Sequence, residues 1–207
     1  MMAQADNFRI TIKGKGGHSS MPHQTVDPIL VASELVVNAQ SIVGRSVDPL
    51  KPAVLSFGTI HGGTVYNIIP GDVTLSGTVR TFDQAVQTLI KKRLYEVVEG
   101  TCRTFGATYD FEYESGYPPL VNDPASIDFV LSVAKKALGE ENIVAIEPVM
   151  GGEDFAYYLQ EVPGAFLFFG AGDGMKFPHH HPAFDFDEKA MPAAAFLMTA
   201  LALDYLK

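Results

Sequence analysis

The chain has 207 residues, 47% hydrophobic and 19% charged, which is enough apolar material for one or two packed domains. Its formal net charge of -9 excludes nucleic acid and an anionic membrane surface as partners, because both need clustered Lys and Arg. Cys102 is the single cysteine, which rules out an intramolecular disulfide and a Cys-based zinc cage; with no basic-then-apolar leader and no apolar run of membrane-spanning length, the chain reads as cytoplasmic.

Phe8, Ile10 and Ile12 alternate with Arg9, Thr11 and Lys13, which predicts a half-buried strand broken by Gly14-Lys15-Gly16-Gly17. Asp27-Pro28 then reads as an N-cap with proline at the first helical position, and Ile29, Ala32, Val36, Ala39 and Val43 carry a helix over 27–43. Two strands follow, Ala53 to Ile60 and Asp72 to Arg80. Asp83 caps a second helix with Val86, Ile90, Leu94 and Val97 on one face, and Ala107, Tyr109, Phe111 and Tyr113 alternate as a fourth strand. The order βαββαβ is the ferredoxin-like arrangement, with both helices on one face of the sheet, ending near Gly116-Tyr117-Pro118-Pro119.

The remainder opens on a second Asp-Pro start at Asp123-Pro124, with Ile127, Val130, Ala134 and Leu138 as its apolar stripe and Gly139 as its stop. Ala165 to Phe169 is apolar throughout, as a strand covered on both faces would be. A last helix carries Met191, Ala195, Met198, Ala202 and Tyr205. This is α/β material with too few strands for a complete doubly wound sheet.

Four places could carry chemistry. Phe177-Pro178-His179-His180-His181-Pro182 sets imidazoles on a proline-stiffened turn, either as a solvated loop or as the source of one metal ligand. Gly14-Lys15-Gly16-Gly17-His18 lacks the spacing of a P-loop or a dinucleotide fingerprint; it is a turn with an exposed histidine, or a loop whose glycines let a ligand approach while His18 donates to a polarised carbonyl. Glu153 and Asp154 follow a glycine pair where a helix begins, and capping accounts for at least one of them. Asn67 and Arg80 flank Ile68-Ile69-Pro70-Gly71 and could bind a carboxylate, Arg with a two-pronged donor.

Five segments taken together resemble one family: Gly14 to His23 with Asp27-Pro28, Gly62 to Pro70, Gly77 to Phe82, Met150 to Phe155, and His180-His181-Pro182-Ala183-Phe184. It is the metallopeptidase family of N-acyl-amino-acid amidohydrolases, which includes hippurate hydrolases and indole-acetyl-amino-acid hydrolases, and the resemblance runs from about Met1 to Lys207. It implies a lid and dimerisation domain at 8–116 and a returning segment of the catalytic α/β domain at 117–207. The complete protein is then expected to hydrolyse N-acyl amino acids or small peptides with two divalent ions (Zn, Mn or Co). His18 matches the histidine that reaches across the dimer to the scissile carbonyl, Asn67 and Arg80 match positions linked to the substrate carboxylate, and His180 matches the final metal ligand, with His181 excluded from that role. The family's Cys-Gly-His-Asp segment, its Glu-Glu pair and its other ligand histidine precede the lid and do not occur here, so the chain is expected to begin mid-protein and to be inactive alone. The rival expectation is a dimerisation or binding module without chemistry.

Overall fold

The computed structural model describes residues 1–172, 177 and 179–207. Its elements, in chain order, are β1 (Gln4–Lys13), β2 (Gly17–His18), α1 (Pro28–Ser46), β3 (Ala53–Gly62), β4 (Ile68–Ile69), β5 (Asp72–Thr81), α2 (Gln84–Phe105), β6 (Thr108–Tyr117), α3 (Pro124–Leu138), α4 (Tyr158–Glu161) and α5 (Met191–Tyr205). Among the described residues no helix is long and apolar enough to cross a membrane. The chain divides into two compact units, Met1–Leu120 with Pro148–Tyr157, and Val121–Glu147 with Tyr158–Lys207.

In the first unit the sheet order is β3-β5-β1-β6, with every neighbouring pair antiparallel. This is the ferredoxin-like βαββαβ order expected from the sequence. Phe8, Ile10 and Ile12 of β1, with Val73, Leu75 and Val79 of β5, join residues of both α1 and α2 in one buried cluster, so both helices cover one face. Arg9, Thr11 and Lys13 take the opposite parity and lie on the other face. Asp27 caps α1 by accepting from the Ile29 amide at 2.9 Å, and Asp83 caps α2 by accepting from the Ala85 amide at 2.7 Å. Helix α1 buries Val31, Leu35 and Ile42 with Ala32 and Ala39, whereas Ile29 of the expected stripe stays exposed. Cys102 is buried in α2, where desolvation raises its thiol pKa.

Strand β1 starts at Gln4 rather than at Phe8, because the inward parity continues through two polar residues, Gln4 and Asp6. The fully buried Asp6 carboxylate accepts from the Tyr113 hydroxyl at 2.6 Å, the Gln87 amide at 2.8 Å and the Gly116 N–H at 3.1 Å. One carboxylate thus ties β1 to α2 and β6, as a buried charge must be tied. Burial, followed by the hydrogen bond and the negative charge of Asp6, pushes the Tyr113 phenol well above its ordinary value. An acid whose pKa is raised by folding contributes stability below its unfolded value of about 10 and loses it as pH climbs above that value. We therefore expect the urea midpoint to fall between about pH 9.5 and 11, and Tyr113→Phe to flatten that fall while lowering the midpoint at neutral pH.

In the second unit, Val133, Ala134 and Leu197 of α3 and α5 form a small core, with Leu167 and Phe169 packed against it. Two expectations fail here. The run 165–169 is not in a sheet and Phe168 is 52% exposed; the Asn122 side chain, not a strand, pairs with both backbone groups of Phe166, at 2.8 and 3.1 Å. An apolar run signals burial, but it supplies no ladder partner. Helix α5 packs through Leu197, Ala200 and Leu201, leaving Met191, Met198 and Tyr205 of the expected stripe exposed at 56, 58 and 79%. A helix that is apolar all round has no sequence-encoded inner face.

Candidate functional site

Beyond Lys13 the chain closes a small loop against itself. Gly17 and His18 of β2 pair with Ile69 and Ile68 of β4, and the Asn67 carbonyl accepts from the Ser19 N–H at 3.1 Å. This pairing sets His18 and Asn67, both exposed, side by side at one end of the first unit. The glycines of this loop allow close approach of backbone to backbone. A Cβ on Gly14 would collide with the Val26 carbonyl, and one on Gly16 would lie 2.8 Å from the Ile69 carbonyl.

His18 has a partner that the sequence did not mark. Its Nδ1 receives the Ser20 backbone N–H at 3.1 Å and lies 2.7 Å from the Ser20 hydroxyl. The only hint in the sequence is a serine two residues after a histidine.

Arg80 lies elsewhere. It pairs with Ala5 in register, at the opposite end of β1 from Lys13. A Cβ on Gly152 would stand 3.1 Å from Arg80 Nη1 and 3.4 Å from Tyr117 Cδ2, so the Gly151-Gly152-Glu153 turn passes directly beside the guanidinium. Glu153 starts the short 3-10 helix Asp154–Tyr157, accepting from the Phe155 amide at 3.4 Å, which matches the capping reading. One copy therefore does not bring Asn67 and Arg80 together. About eight strand residues at ~3.3 Å each separate the two ends, roughly 26 Å.

His180 belongs to the second unit and adopts φ 68, the left-handed region that non-glycine residues rarely occupy. Its neighbours are engaged: His181 stacks on Phe177 with centroids 4.4 Å apart and takes the Ala183 N–H at 3.0 Å, while His179 meets the Phe184 edge at 5.0 Å. Among the described residues nothing bonds or stacks on the His180 ring. Pro178 of this loop lies outside the described residues. Among the described residues no three His, Cys, Asp or Glu side chains are grouped to hold a metal ion.

The sequence profile of Peptidase family M20/M25/M40 matches residues 4–204. The chain belongs to this family. It is 43% identical over 198 residues to the N-acetyl-L-cysteine deacetylase of Bacillus subtilis, covering 96% of this chain and 47% of the relative. It is 38% identical over 213 residues to the IAA-amino acid hydrolase ILR1-like 4 of Arabidopsis thaliana, covering 100% and 48%. Among solved structures, the Bacillus subtilis YXEP protein, described as a dinuclear metal binding peptidase of the M20 family, superposes with TM-score 0.72 at 31% identity, covering 100% of this chain and 51% of that one. The chain thus spans about half the length of the curated relatives it matches. M20 membership makes it a member of a hydrolase family, as the five segments led us to expect.

Proposed function

We propose that this M20 chain acts in hydrolysis of the amide bond of N-acyl amino acids or small peptides, with each site assembled from two copies of its βαββαβ domain. The observation that carries this reading is the placement of His18 and Asn67 beyond one end of the β1–β5 ladder and of Arg80 at the other. Arg80, beside the Gly152 turn, serves the site of its own copy and clamps the substrate carboxylate with a two-pronged donor. His18 and Asn67 serve the partner's site, where His18 donates to the oxygen that becomes negative as the carbonyl is attacked.

Edge chemistry supports a homodimer. Edge strand β6 displays Asp110, Glu112 and Glu114 on its exposed parity, which would repel a second copy. Edge strand β3 has no Asp, Glu, Lys or Arg from Ala53 to Gly62 and exposes Ile60 at 52%. We assign the pairing edge to β3. A divalent pair (zinc, manganese or cobalt) needs about three protein ligands per ion. The described residues do not fit a complete centre, and His180 is the one ligand we assign from this chain. For the chain by itself this favours dimerisation and binding without hydrolysis, and its composition suits a cytoplasmic place.

The test joins this chain to the part of the Bacillus subtilis deacetylase that it does not match, and follows N-acetyl amino acid hydrolysis across sedimentation fractions. Activity should travel with a discrete dimer at about 100 µM, well above a typical weak Kd, and Ile60→Lys should give an inactive monomer. A fully active monomer would overturn the shared site.

A further inference from the structure

We propose that Ser20 is the positioning residue of His18, holding its ring in the tautomer with hydrogen on Nε2 so that the imidazole can act only as a donor. The inference rests on the reading of His18 as the oxyanion donor. A backbone N–H can only donate, so the 3.1 Å bond from the Ser20 amide requires a lone pair on Nδ1. With that lone pair assigned, the Ser20 hydroxyl at 2.7 Å must also donate to Nδ1. The neutral ring then carries its one hydrogen on Nε2.

The backbone of the residue that carries the ring is itself held, because His18 pairs with Ile68 and its carbonyl accepts from the Met21 N–H at 2.9 Å. The turn after the histidine therefore folds Ser20 back over Nδ1, and only Nε2 remains for a ligand. A hydrogen on Nε2 suits hydrogen bonding to a developing oxyanion. It is incompatible with His18 taking a proton at the same nitrogen, so Ser20 separates the donor role from the base role.

The experiment uses the 207-residue chain as it is, with ¹⁵N-labelled histidine, and reads the ring nitrogens by two-bond ¹H–¹⁵N correlation at about pH 9, above the ordinary imidazole range. The His18 signals are assigned from their loss in His18→Gln. Exposed His23 and His61 serve as references in the same sample. His18 should show a smaller fraction of hydrogen on Nδ1 than either reference. Ser20→Ala, which keeps the amide and loses the hydroxyl, should raise that fraction by about fivefold, the effect of one net hydrogen bond. Ser20→Thr, which keeps both donors, should retain the wild-type ratio. A His18 ratio equal to that of His23 and His61, or one that Ser20→Ala leaves unchanged, overturns the proposal. The readout needs neither substrate nor metal, so its failure is distinct from a failure of the proposed hydrolysis.

Discussion

A one-to-one mixture of His18→Ala and Arg80→Ala chains, each joined to the unmatched part of the Bacillus subtilis deacetylase and refolded together, is expected to recover about a quarter of wild-type activity. Neither variant should be active alone. Removing one oxyanion donor costs on the order of 10²–10³ in turnover, and truncating one partner of a buried charge-assisted pair costs about 2–5 kcal/mol. In a mixed dimer, one site takes Arg80 from the His18→Ala copy and His18 from the Arg80→Ala copy, so it is intact, while the other site lacks both. Random association makes about half the dimers mixed, and half the sites in those are whole. If both residues served one site from the same copy, no dimer would hold a whole site. No recovery in mixed dimers isolated through a different affinity tag on each variant would therefore reject the assignment of Arg80 to its own copy's site.

Substituting His180 in the same joined enzyme is expected to remove metal and activity together. Loss of an outer-shell partner alone costs about 10–100-fold in metal affinity, and a direct ligand should cost at least that. His180→Ala and His180→Gly should both fail to hold metal after dialysis, while His18→Ala keeps a full complement and loses turnover. Because His180 sits at φ 68, glycine relieves a left-handed strain of about 1 kcal/mol. His180→Gly should therefore melt no lower than the wild-type apoprotein, which separates ligand loss from unfolding. For the 207-residue chain alone, added zinc should bind weakly and produce no hydrolysis of an N-acetyl amino acid. Unchanged metal content in His180→Gly would sink the ligand assignment, and robust zinc-dependent turnover by the lone chain would sink the reading that it needs further residues.

Much of the first unit could be read from the sequence because its signals are short-ranged. Alternation at Phe8, Ile10 and Ile12 sets the inner face of β1, and Asp27 and Asp83 cap the helices two or three residues downstream. The same local geometry could have exposed Asp6, which occupies the inward parity of β1 beside Gln4. A polar residue on a strand's inner face is a signal, but its partners Gln87, Tyr113 and Gly116 are distant in sequence and become visible only once the strands pair.

By itself, then, the sequence determined the βαββαβ order of the main elements of the first unit, the inner faces of β1 and β6, and the five segments that place the chain among M20 hydrolases. Tertiary structure alone decided that β2 pairs with β4 and carries His18 to Asn67, that Arg80 lies at the far end beside Gly152, and that Ser20 folds back on the His18 ring. It also decided that α5 packs through Leu197 and that Asn122 rather than a strand takes the backbone of Phe166. The physical reason is range. Periodicity and capping follow from bond geometry within about four residues, whereas ladder register, choice of helix face and hydrogen-bond partners depend on groups that only folding brings within about 3 Å.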